Sequence, residues 1–330
     1  MSLKDVAGQS AAVKSFLRLI RDGRLAHAYI LAGPEGVGKF LFARQLAKAL
    51  HCVSPSSGDS CDVCRNCANI DSDVYPFVNT VRLKAGSQKV KVEDIQQLIK
   101  GLSMKTFSEK QWNILIIDDA EELSIQGYNA LLKTIEEPPP RILIILVCSR
   151  MEALPSTVVS RCHVVRFKPL PNETVSAYLV KTLSLKKKDA DYLAKFSGGS
   201  IGLASELSVF GMHDMRNRMA EALSNRQPAE RQWAIYELLT EPPSGKAAKE
   251  ARRATQLKLA VLLSFMLDAL FIKLDISPRR LYNDDFVADA FPEMAPERLF
   301  EGVDDVLEID SMIWKNVNLK MAMSCAAASV

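Results

Sequence analysis

The stretch AYILAGPEGVGKF at residues 28–40 decides the fold, because it joins a short apolar strand to a glycine-rich loop and then to a helix. The loop matches the spacing G-x-x-x-x-G-K in the strand–loop–helix context that gives this motif its meaning. Its glycines let backbone N–H groups turn inward around phosphate oxygens, and the start of the helix adds positive potential. We therefore predict a phosphate-binding loop formed by Gly33, Gly36, Gly38 and Lys39, with Lys39 reaching the terminal phosphates. The alternative interpretation is a glycine turn followed by a chance lysine.

The residues that normally accompany such a loop are altered. The position after the lysine is usually Ser or Thr, whose hydroxyl binds Mg²⁺, whereas here it is Phe40. The acid that follows the apolar run ILII is present as Asp118, and it would bind the metal directly or through water. The next residue, usually a Glu that orients the attacking water, is the shorter Asp119. Because about 1 Å of misplacement can cost roughly 10²-fold in rate, we predict a degenerate nucleotide site. This leaves ATP or ADP binding open and argues against efficient hydrolysis.

Strand and helix patterns alternate through the first half of the chain. Apolar runs at 77–83, 114–117, 142–147 and 164–167 are typical of strands in a parallel sheet. Apolar residues at helical spacing lie between them, for example at residues 95–102. This alternation predicts an α/β P-loop domain with a parallel sheet.

Beyond residue 168 the strand signals stop and only helical patterns remain. We expect the α/β domain to span residues 1–168 and to carry a cysteine-bearing insertion at 52–67. A small helical lid is expected at 169–207, followed by an all-α C-terminal domain at 208–330.

The composition is that of a soluble globular protein. The chain has 330 residues, and its 42 Lys and Arg nearly balance 39 Asp and Glu, for a net charge of +3. A protein held on nucleic acid by bulk charge would be far more basic, so any such contact must be local. The beginning, MSLKDVAGQS, lacks the pattern of a secretory signal, and the most apolar window, residues 259–272, is too short to span a bilayer. We expect a cytoplasmic protein that makes no membrane contact.

A cluster of cysteines stands out from this composition. Four of the seven lie close together, at Cys52, Cys61, Cys64 and Cys67. In a reducing compartment such a cluster indicates metal or redox chemistry rather than disulfides. Four thiolates at this spacing suit a tetrahedral, structural Zn²⁺ with no open position for chemistry. An iron–sulfur cluster and a redox dithiol are the alternatives. The neighbouring His51 is expected at the surface rather than as a ligand.

Three further stretches carry a family resemblance. GRLAHAY at 23–29 precedes the first strand, NALLKTIEEPP at 129–139 is close to the signature N-A-L-L-K-x-L-E-E-P-P, and LPSTVVSRC at 154–162 ends in Ser-Arg-Cys. Together with the loop, these stretches resemble the AAA+ clamp loaders of bacterial DNA polymerase III, most closely subunits of the delta-prime type. The resemblance covers residues 1–168 well. The C-terminal part is matched only by its length and by WKNVNL at 314–319.

The resemblance implies roles for particular residues. Arg161 matches the family's arginine finger, which reaches the γ-phosphate bound by a neighbouring subunit; the alternative is an arginine in a surface salt bridge. The lid position that usually carries an arginine is Gly202, and the sensor position at the end of the fourth strand is Ser149. With Phe40 and Asp119, Gly202 makes three defects in the chain's own nucleotide site. The residue that would serve a neighbour's site is intact.

The resemblance thus implies a non-hydrolysing, stator-like subunit of the sliding-clamp loader in DNA replication. Such a subunit has no intrinsic ATPase activity and joins the DNA polymerase holoenzyme as an assembled component. Its implied partners are motor subunits of the gamma/tau type, a delta-type clamp-opening subunit, the sliding clamp indirectly, and primer–template DNA within the hetero-oligomer. The C-terminal helices would form the collar of this assembly. The alternatives are an ATP-hydrolysing motor subunit of the same family and an AAA+-derived scaffold.

Overall fold

A computed structural model describes residues 1–83, 98, 111–225, 227–242, 248–276, 281–283, 291, 294–313, 315 and 317–330. The chain divides into two compact units. Unit 1 contains Met1–Thr174 together with Gly199–Gly202, and unit 2 contains Val175–Gly198 together with Leu203–Val330. The three-domain division at residues 168 and 207 stays a prediction.

Unit 1 is built around a five-stranded sheet. Its strands are β1 (Ala28–Ala32), β2 (Val78–Arg82), β3 (Asn113–Asp118), β4 (Ile142–Cys148) and β5 (His163–Arg166). The order across the sheet is β2-β3-β4-β1-β5, and every neighbouring pair is parallel. The inner strands β1 and β4 are buried along their whole length, which explains their unbroken apolar sequences. The predicted α/β fold with a parallel sheet, followed by an all-helical C-terminal region, is confirmed.

Helices cover the sheet of unit 1. They are α1 (Ser10–Asp22), α2 (Lys39–His51), α3 (Arg65–Asp71), α4 (Ile125–Glu136) and α5 (Ser156–Val159). Helix α2 begins directly after the glycine-rich loop. Its Phe42 anchors it through edge-on ring contacts with Phe16 and Phe167, whose centroids lie at 5.1 and 5.3 Å. Of the helix predicted at 95–102, only Leu98 lies within the described residues, where it is helical and packs against the sheet core.

A buried lysine on α2 holds the cysteine-bearing segment in place. Lys48 is fully buried, and its ammonium forms ion pairs with Asp62 at 2.5 Å and Asp71 at 2.8 Å. It also donates a hydrogen bond to the carbonyl oxygen of Met1 at 3.0 Å. Burial acts to lower the pKa of Lys48, but the two carboxylates outweigh it and raise this pKa. One lysine of α2 therefore ties this helix to the N-terminus, to the cysteine-bearing segment and to the end of α3.

The region after the sheet is helical. Its helices are α6 (Asn172–Leu183), α7 (Lys187–Phe196), α8 (Ile201–Val209), α9 (Met212–Leu223), α10 (Pro228–Thr240), α11 (Ala248–Lys273), α12 (Pro296–Met312) and α13 (Leu319–Ala328). Asn318, in the stretch matched to the family's last helix, caps α13 by accepting hydrogen bonds from the N–H groups of Lys320 and Met321.

Helix α11 contains a long apolar stretch. Residues Ala251–Lys273 could cross a membrane by length and composition, but 61% of an apolar 18-residue segment within them is buried inside the protein. Its fully buried Asp268 accepts hydrogen bonds from the N–H groups of Tyr282 and Asn283 at 2.7–3.0 Å. Core helices of globular proteins satisfy the same criterion, so the helix is weak evidence for a membrane span.

Replacing Lys48 by methionine tests its anchoring role. The Lys48→Met variant keeps the volume but leaves Asp71 without its cation and Asp62 with only the N-terminal ammonium of Met1, which should lower the free energy of unfolding by about 2 kcal/mol. Urea denaturation followed by circular dichroism measures the change. The exposed Lys14→Met serves as control and should stay within about 0.5 kcal/mol of the unsubstituted chain. Equal stability of the two variants would contradict the anchoring role.

Candidate functional site

The glycine-rich loop lies at the carboxyl edge of the sheet, where open α/β sheets bind ligands. Gly36 and Gly38 have φ angles of +72° and +97°, which residues with a side chain rarely adopt. At Gly33 a Cβ atom would lie 2.3 Å from the carbonyl oxygen of Phe167, so the loop requires glycine there. No acceptor among the described residues is found for the backbone N–H groups of residues 37–39. These groups remain available to an anion.

Lys39 is folded onto the loop that precedes it. Its ammonium donates to the carbonyl oxygens of Gly33 and Pro34, each at 2.6 Å, and to Ser149 Oγ at 3.2 Å. Burial lowers the pKa of Lys39, and nearby acidic groups, Asp118 among them, oppose that shift. The structure therefore brings the predicted loop lysine and the predicted sensor residue into direct contact.

The two aspartates after β3 lie in different environments. Asp118 ends the strand, and burial raises its pKa. Asp119 has a φ of +55°. Burial, followed by the charges of Asp118, Glu121 and Glu35, raises the pKa of Asp119 to about 6. The carboxylates at this edge of the sheet repel one another, which destabilises their ionised forms unless cations lie beside them.

Glu121 is a site residue that the motif analysis missed. Its Oε1 accepts hydrogen bonds from the backbone N–H groups of Ser149 at 2.8 Å and Arg150 at 3.2 Å. Its buried Oε2 has no hydrogen-bond partner among the described residues. Glu121 thus holds the end of β4, and with it Ser149, the residue predicted as the sensor. The second acidic pair in the stretch IDDAEE at 117–122 was the available sequence signal.

The first turn of α2 does not fit a magnesium ion. Position 40 offers a phenyl ring and no oxygen ligand. The guanidinium of Arg82, at the end of β2, lies 4.5 Å from the centroid of this ring, and that of Arg44 lies 5.6 Å away. Mg²⁺ requires oxygen ligands in near-ideal octahedral geometry. An apolar ring flanked by two cations does not supply that environment.

Gly202 contacts the loop directly. Its backbone N–H donates to the carbonyl oxygen of Gly36 at 2.9 Å, and a Cβ atom at this position would lie 2.8 Å from Gly36 Cα. An arginine here would therefore require the backbone to shift. Gly202 adds no charge to the site, and close packing against Gly36 gives the physical reason for a glycine here.

Arg161 lies in the turn after α5 and is partly exposed. Its Nε forms a 2.8 Å ion pair with Glu136, the last residue of α4. One terminal nitrogen donates to the carbonyl oxygen of Thr157 at 3.0 Å and to Ser160 Oγ at 3.3 Å. A surface salt bridge, the alternative to a finger, is thus present, and 42% of the arginine side chain remains exposed beside it. Because exposed ion pairs contribute only about 0–1 kcal/mol, this pair adds little to the stability of the fold.

The four clustered cysteines form a site that could hold a metal ion. The sulfur atoms of Cys52, Cys61, Cys64 and Cys67 all lie within 4.8 Å of one another. The backbone N–H of Cys61 donates to Cys52 Sγ at 3.2 Å. Burial acts to raise the pKa of Cys64, yet hydrogen bonds from the backbone of Val53 and Cys67 lower it to about 6. Four converging thiol groups fit the ligand set of a closed, tetrahedral zinc site.

The expectation that His51 lies at the surface was wrong. The side chain is buried, and its ring lies 4.9 Å from Tyr75 and 6.5 Å from Phe77. Burial lowers the pKa of His51 to about 4. The last turn of α2 is covered by aromatic side chains, which a pattern confined to the helix does not reveal.

Part of this chain is similar in sequence to known proteins. Residues 8–171 match the sequence model of a family described as DNA polymerase III, delta subunit. The DNA polymerase III subunit tau/gamma of Haemophilus influenzae is 34% identical over 202 residues, which are 60% of this chain and 29% of that protein. The subunit gamma of Buchnera aphidicola subsp. Schizaphis graminum is 30% identical over 223 residues, 66% of this chain and 60% of that protein. The chain spans less than two thirds of the length of these curated relatives.

Solved structures with a similar chain path were also found. The RuvB Holliday junction branch migration motor of Thermotoga maritima is 18% identical, with 89% of this chain and 88% of that chain covered and a TM-score of 0.43. A DNA polymerase III gamma subunit-related protein from the same organism is 16% identical, with coverages of 96% and 98% and a TM-score of 0.43.

Zinc occupancy is testable by removing one ligand. The purified chain should contain about one zinc ion, and Cys61→Ser should lose most of it because three thiolates leave a tetrahedral site incomplete. Atomic emission spectroscopy measures the zinc content. Cys325→Ser, which removes an exposed cysteine on α13, is the control and should keep the metal. Equal zinc content in both variants would argue against the site.

The raised pKa of Asp119 predicts a pH-dependent effect of its removal. The folded protein keeps this proton to about pH 6, whereas the unfolded chain releases it near the ordinary pKa of 3.8. Stability is therefore lost as pH rises between these values, and the uncharged Asp119→Asn avoids that loss. The free energy of unfolding of Asp119→Asn should exceed that of the unsubstituted chain by about 1 kcal/mol at pH 7.5, after allowance for solvent screening. Near pH 4 the two proteins should be equally stable.

Urea denaturation of both proteins at the two pH values measures this difference. Asp304→Asn, an exposed substitution on α12, controls for the loss of one negative charge. A gain of the same size at both pH values would mean that ionisation of Asp119 is not its cause.

Proposed function

We propose that this chain is a non-hydrolysing, stator-like subunit of a sliding-clamp loader. The premise is that residues 8–171 form a DNA polymerase III delta-type domain homologous to tau/gamma clamp-loader subunits. The observation that carries the proposal is an asymmetry within one domain. Arg161 is exposed and oriented, while the first turn of α2 places Phe40 where a magnesium ligand is needed. Such a chain completes a neighbour's active site rather than its own.

The proposed contribution is electrostatic. A guanidinium placed against a transferring phosphoryl group neutralises its charge and is worth about 10³–10⁵ in rate in other NTPases. Glu136 and the carbonyl oxygen of Thr157 each bind one side of the Arg161 guanidinium, which limits its conformations before a partner arrives. Less side-chain entropy is then lost when the arginine reaches a phosphate bound by another subunit.

The assembly proposed for this chain is a hetero-oligomer in the cytoplasm that works in DNA replication. Its members are motor subunits of the gamma/tau type and a delta-type clamp-opening subunit, acting on a sliding clamp and on primer–template DNA. Within the chain, residues 1–168 and the lid at 169–207 would join the ring, and residues 208–330 would form the collar. A zinc ion held by Cys52, Cys61, Cys64 and Cys67 would keep the insertion folded and would take no part in catalysis.

A hydrolysing motor subunit is the second candidate. The available N–H groups of residues 37–39 and the buried Lys39 favour it, because both are retained parts of a phosphate-binding loop. Under this alternative the isolated chain hydrolyses ATP, and Lys39→Ala abolishes that turnover. Under the proposed function the isolated chain has no DNA-stimulated ATPase activity, with or without Lys39.

Substitution of Arg161 tests the proposed function in the assembled complex. In a loader reconstituted with its motor subunits, Arg161→Ala should slow hydrolysis at the neighbouring site about 10³-fold while the complex still assembles. Glu136→Gln should cause a smaller loss, because it frees the arginine without removing it. Single-turnover ATP hydrolysis and size-exclusion chromatography measure the two properties.

Arg18→Ala is the matched control, since Arg18 is also an exposed arginine in an ion pair, with Asp22. Its complex should hydrolyse ATP at the unsubstituted rate. Unchanged hydrolysis at every site of the Arg161→Ala complex would refute the arginine-finger role.

A further inference from the structure

The place normally taken by magnesium is surrounded in this chain by a different set of groups. In a working phosphate loop, the ion lies between the side chain after the loop lysine and the acid at the end of the neighbouring strand. Here those two positions are Phe40 and Asp118. The guanidinium of Arg82 lies over the first, with its central carbon 4.5 Å from the ring centroid. The same guanidinium lowers the pKa of the second, Asp118, against the larger effect of burial.

The sheet fixes Arg82 in this place. Arg82 is the last residue of β2 and pairs in register with Asp118, the last residue of β3. The N–H of the following Leu83 donates to the carbonyl oxygen of Asp118 at 3.1 Å. Both side chains therefore leave the sheet at the same edge, next to the first turn of α2. An arginine one residue earlier on β2 would point to the opposite face.

Arg82 is also only weakly engaged by other groups. Its described ion-pair partner is Asp73, at 3.9 Å, and nearly half of its side chain is exposed. Asp73 lies 3.7 Å from Arg44 as well, so one carboxylate faces two guanidiniums. A positive charge at this corner is thus left for a further anion.

The electrostatics of the loop call for such a charge. The carboxylates of Glu35, Asp118, Asp119 and Glu121 all act on the loop region, and Lys39 is the cation in direct contact with the loop carbonyls. A phosphate chain would be repelled by these acids unless a second cation lay beside it. Magnesium supplies that charge in other phosphate loops, and Phe40 leaves no ligand for it here.

We propose that the guanidinium of Arg82 takes the place of the divalent cation, and that residues 33–40 bind the phosphate chain of a nucleoside triphosphate without magnesium. This inference deepens the proposed function, because it concerns the same degenerate nucleotide site. The bound nucleotide is a structural ligand: it lacks the metal that activates the γ-phosphate, and Gly202 adds no charge from the lid. The contact between the Arg82 guanidinium and the Phe40 ring, at 4.5 Å, holds this charge beside the first turn of α2, where it can donate hydrogen bonds to phosphate oxygens.

Metal dependence of binding provides the test. ATP is titrated into the purified full chain by isothermal titration calorimetry, once in excess MgCl₂ and once in magnesium-free buffer without a chelator, which leaves the predicted zinc in place. The affinity in magnesium-free buffer should be at least equal to that in MgCl₂. Arg82→Gln should weaken binding in magnesium-free buffer about tenfold, as expected for the loss of a charge-assisted hydrogen bond. Arg82→Lys should retain most of the affinity, because it retains the charge.

A double substitution and a control sharpen the result. Phe40→Thr combined with Arg82→Gln restores a hydroxyl and removes the built-in cation, so ATP should then bind more tightly in MgCl₂ than in magnesium-free buffer. Arg18→Gln removes one positive charge from the surface of α1 and should leave the affinity unchanged. Circular dichroism confirms that each variant is folded.

Three results would overturn the inference. They are a requirement for Mg²⁺ in the unsubstituted chain, an affinity for ATP that Arg82→Gln leaves unchanged, and the absence of ATP binding in either buffer. The third result would mean that the Phe40 ring and the Arg82 guanidinium block the site. None of them bears on the arginine finger, which is measured by hydrolysis at a neighbouring site in the assembled loader. The two proposals can therefore fail separately.

Discussion

The parallel pairing of β1 with β4 on one side and β5 on the other is the constraint on which the site depends. It places the loop after β1 beside the end of β4, so that Lys39 reaches Ser149. It also brings the backbone after β5 so close to the loop that only glycine fits at position 33. The next pairings, β4 with β3 and β3 with β2, carry Asp118 and Arg82 to the same edge. A one-residue slip in any pair would turn these side chains to the opposite face.

Charge is distributed unevenly around this edge. Acidic side chains crowd the carboxyl end of β3 and the loop. Their mutual repulsion adds to the effect of burial in raising the pKa of Asp119. Lys39 and Arg82 offset part of that cost from two sides. Arg161 is held elsewhere, by Glu136 at the end of α4. In the function we propose, one cationic residue serves a neighbour while the other two keep the chain's own loop able to accept an anion.

The cysteine-bearing segment is connected to the loop through α2. The helix starts at the loop and carries Lys48 near its end, where ion pairs to Asp62 and Asp71 hold the segment that contains the four thiols. Buried ion pairs are costly to break from one side, because the remaining charges lose their partner. The position of a metal in this segment would therefore be set by the same helix that positions the phosphate loop.

The sequence by itself determined the fold class, the strand positions, the glycine-rich loop and the four clustered cysteines. Each depends on local information: apolar runs mark buried strands, glycine spacing marks the loop, and thiol spacing marks a group that could hold a metal. The tertiary structure alone decided the contacts between residues far apart in the chain. Arg82 over Phe40, Glu136 beside Arg161, Glu121 under Ser149 and the burial of His51 are all of this kind. Their partners are set by strand order and register, which bring together positions that no local spacing relates.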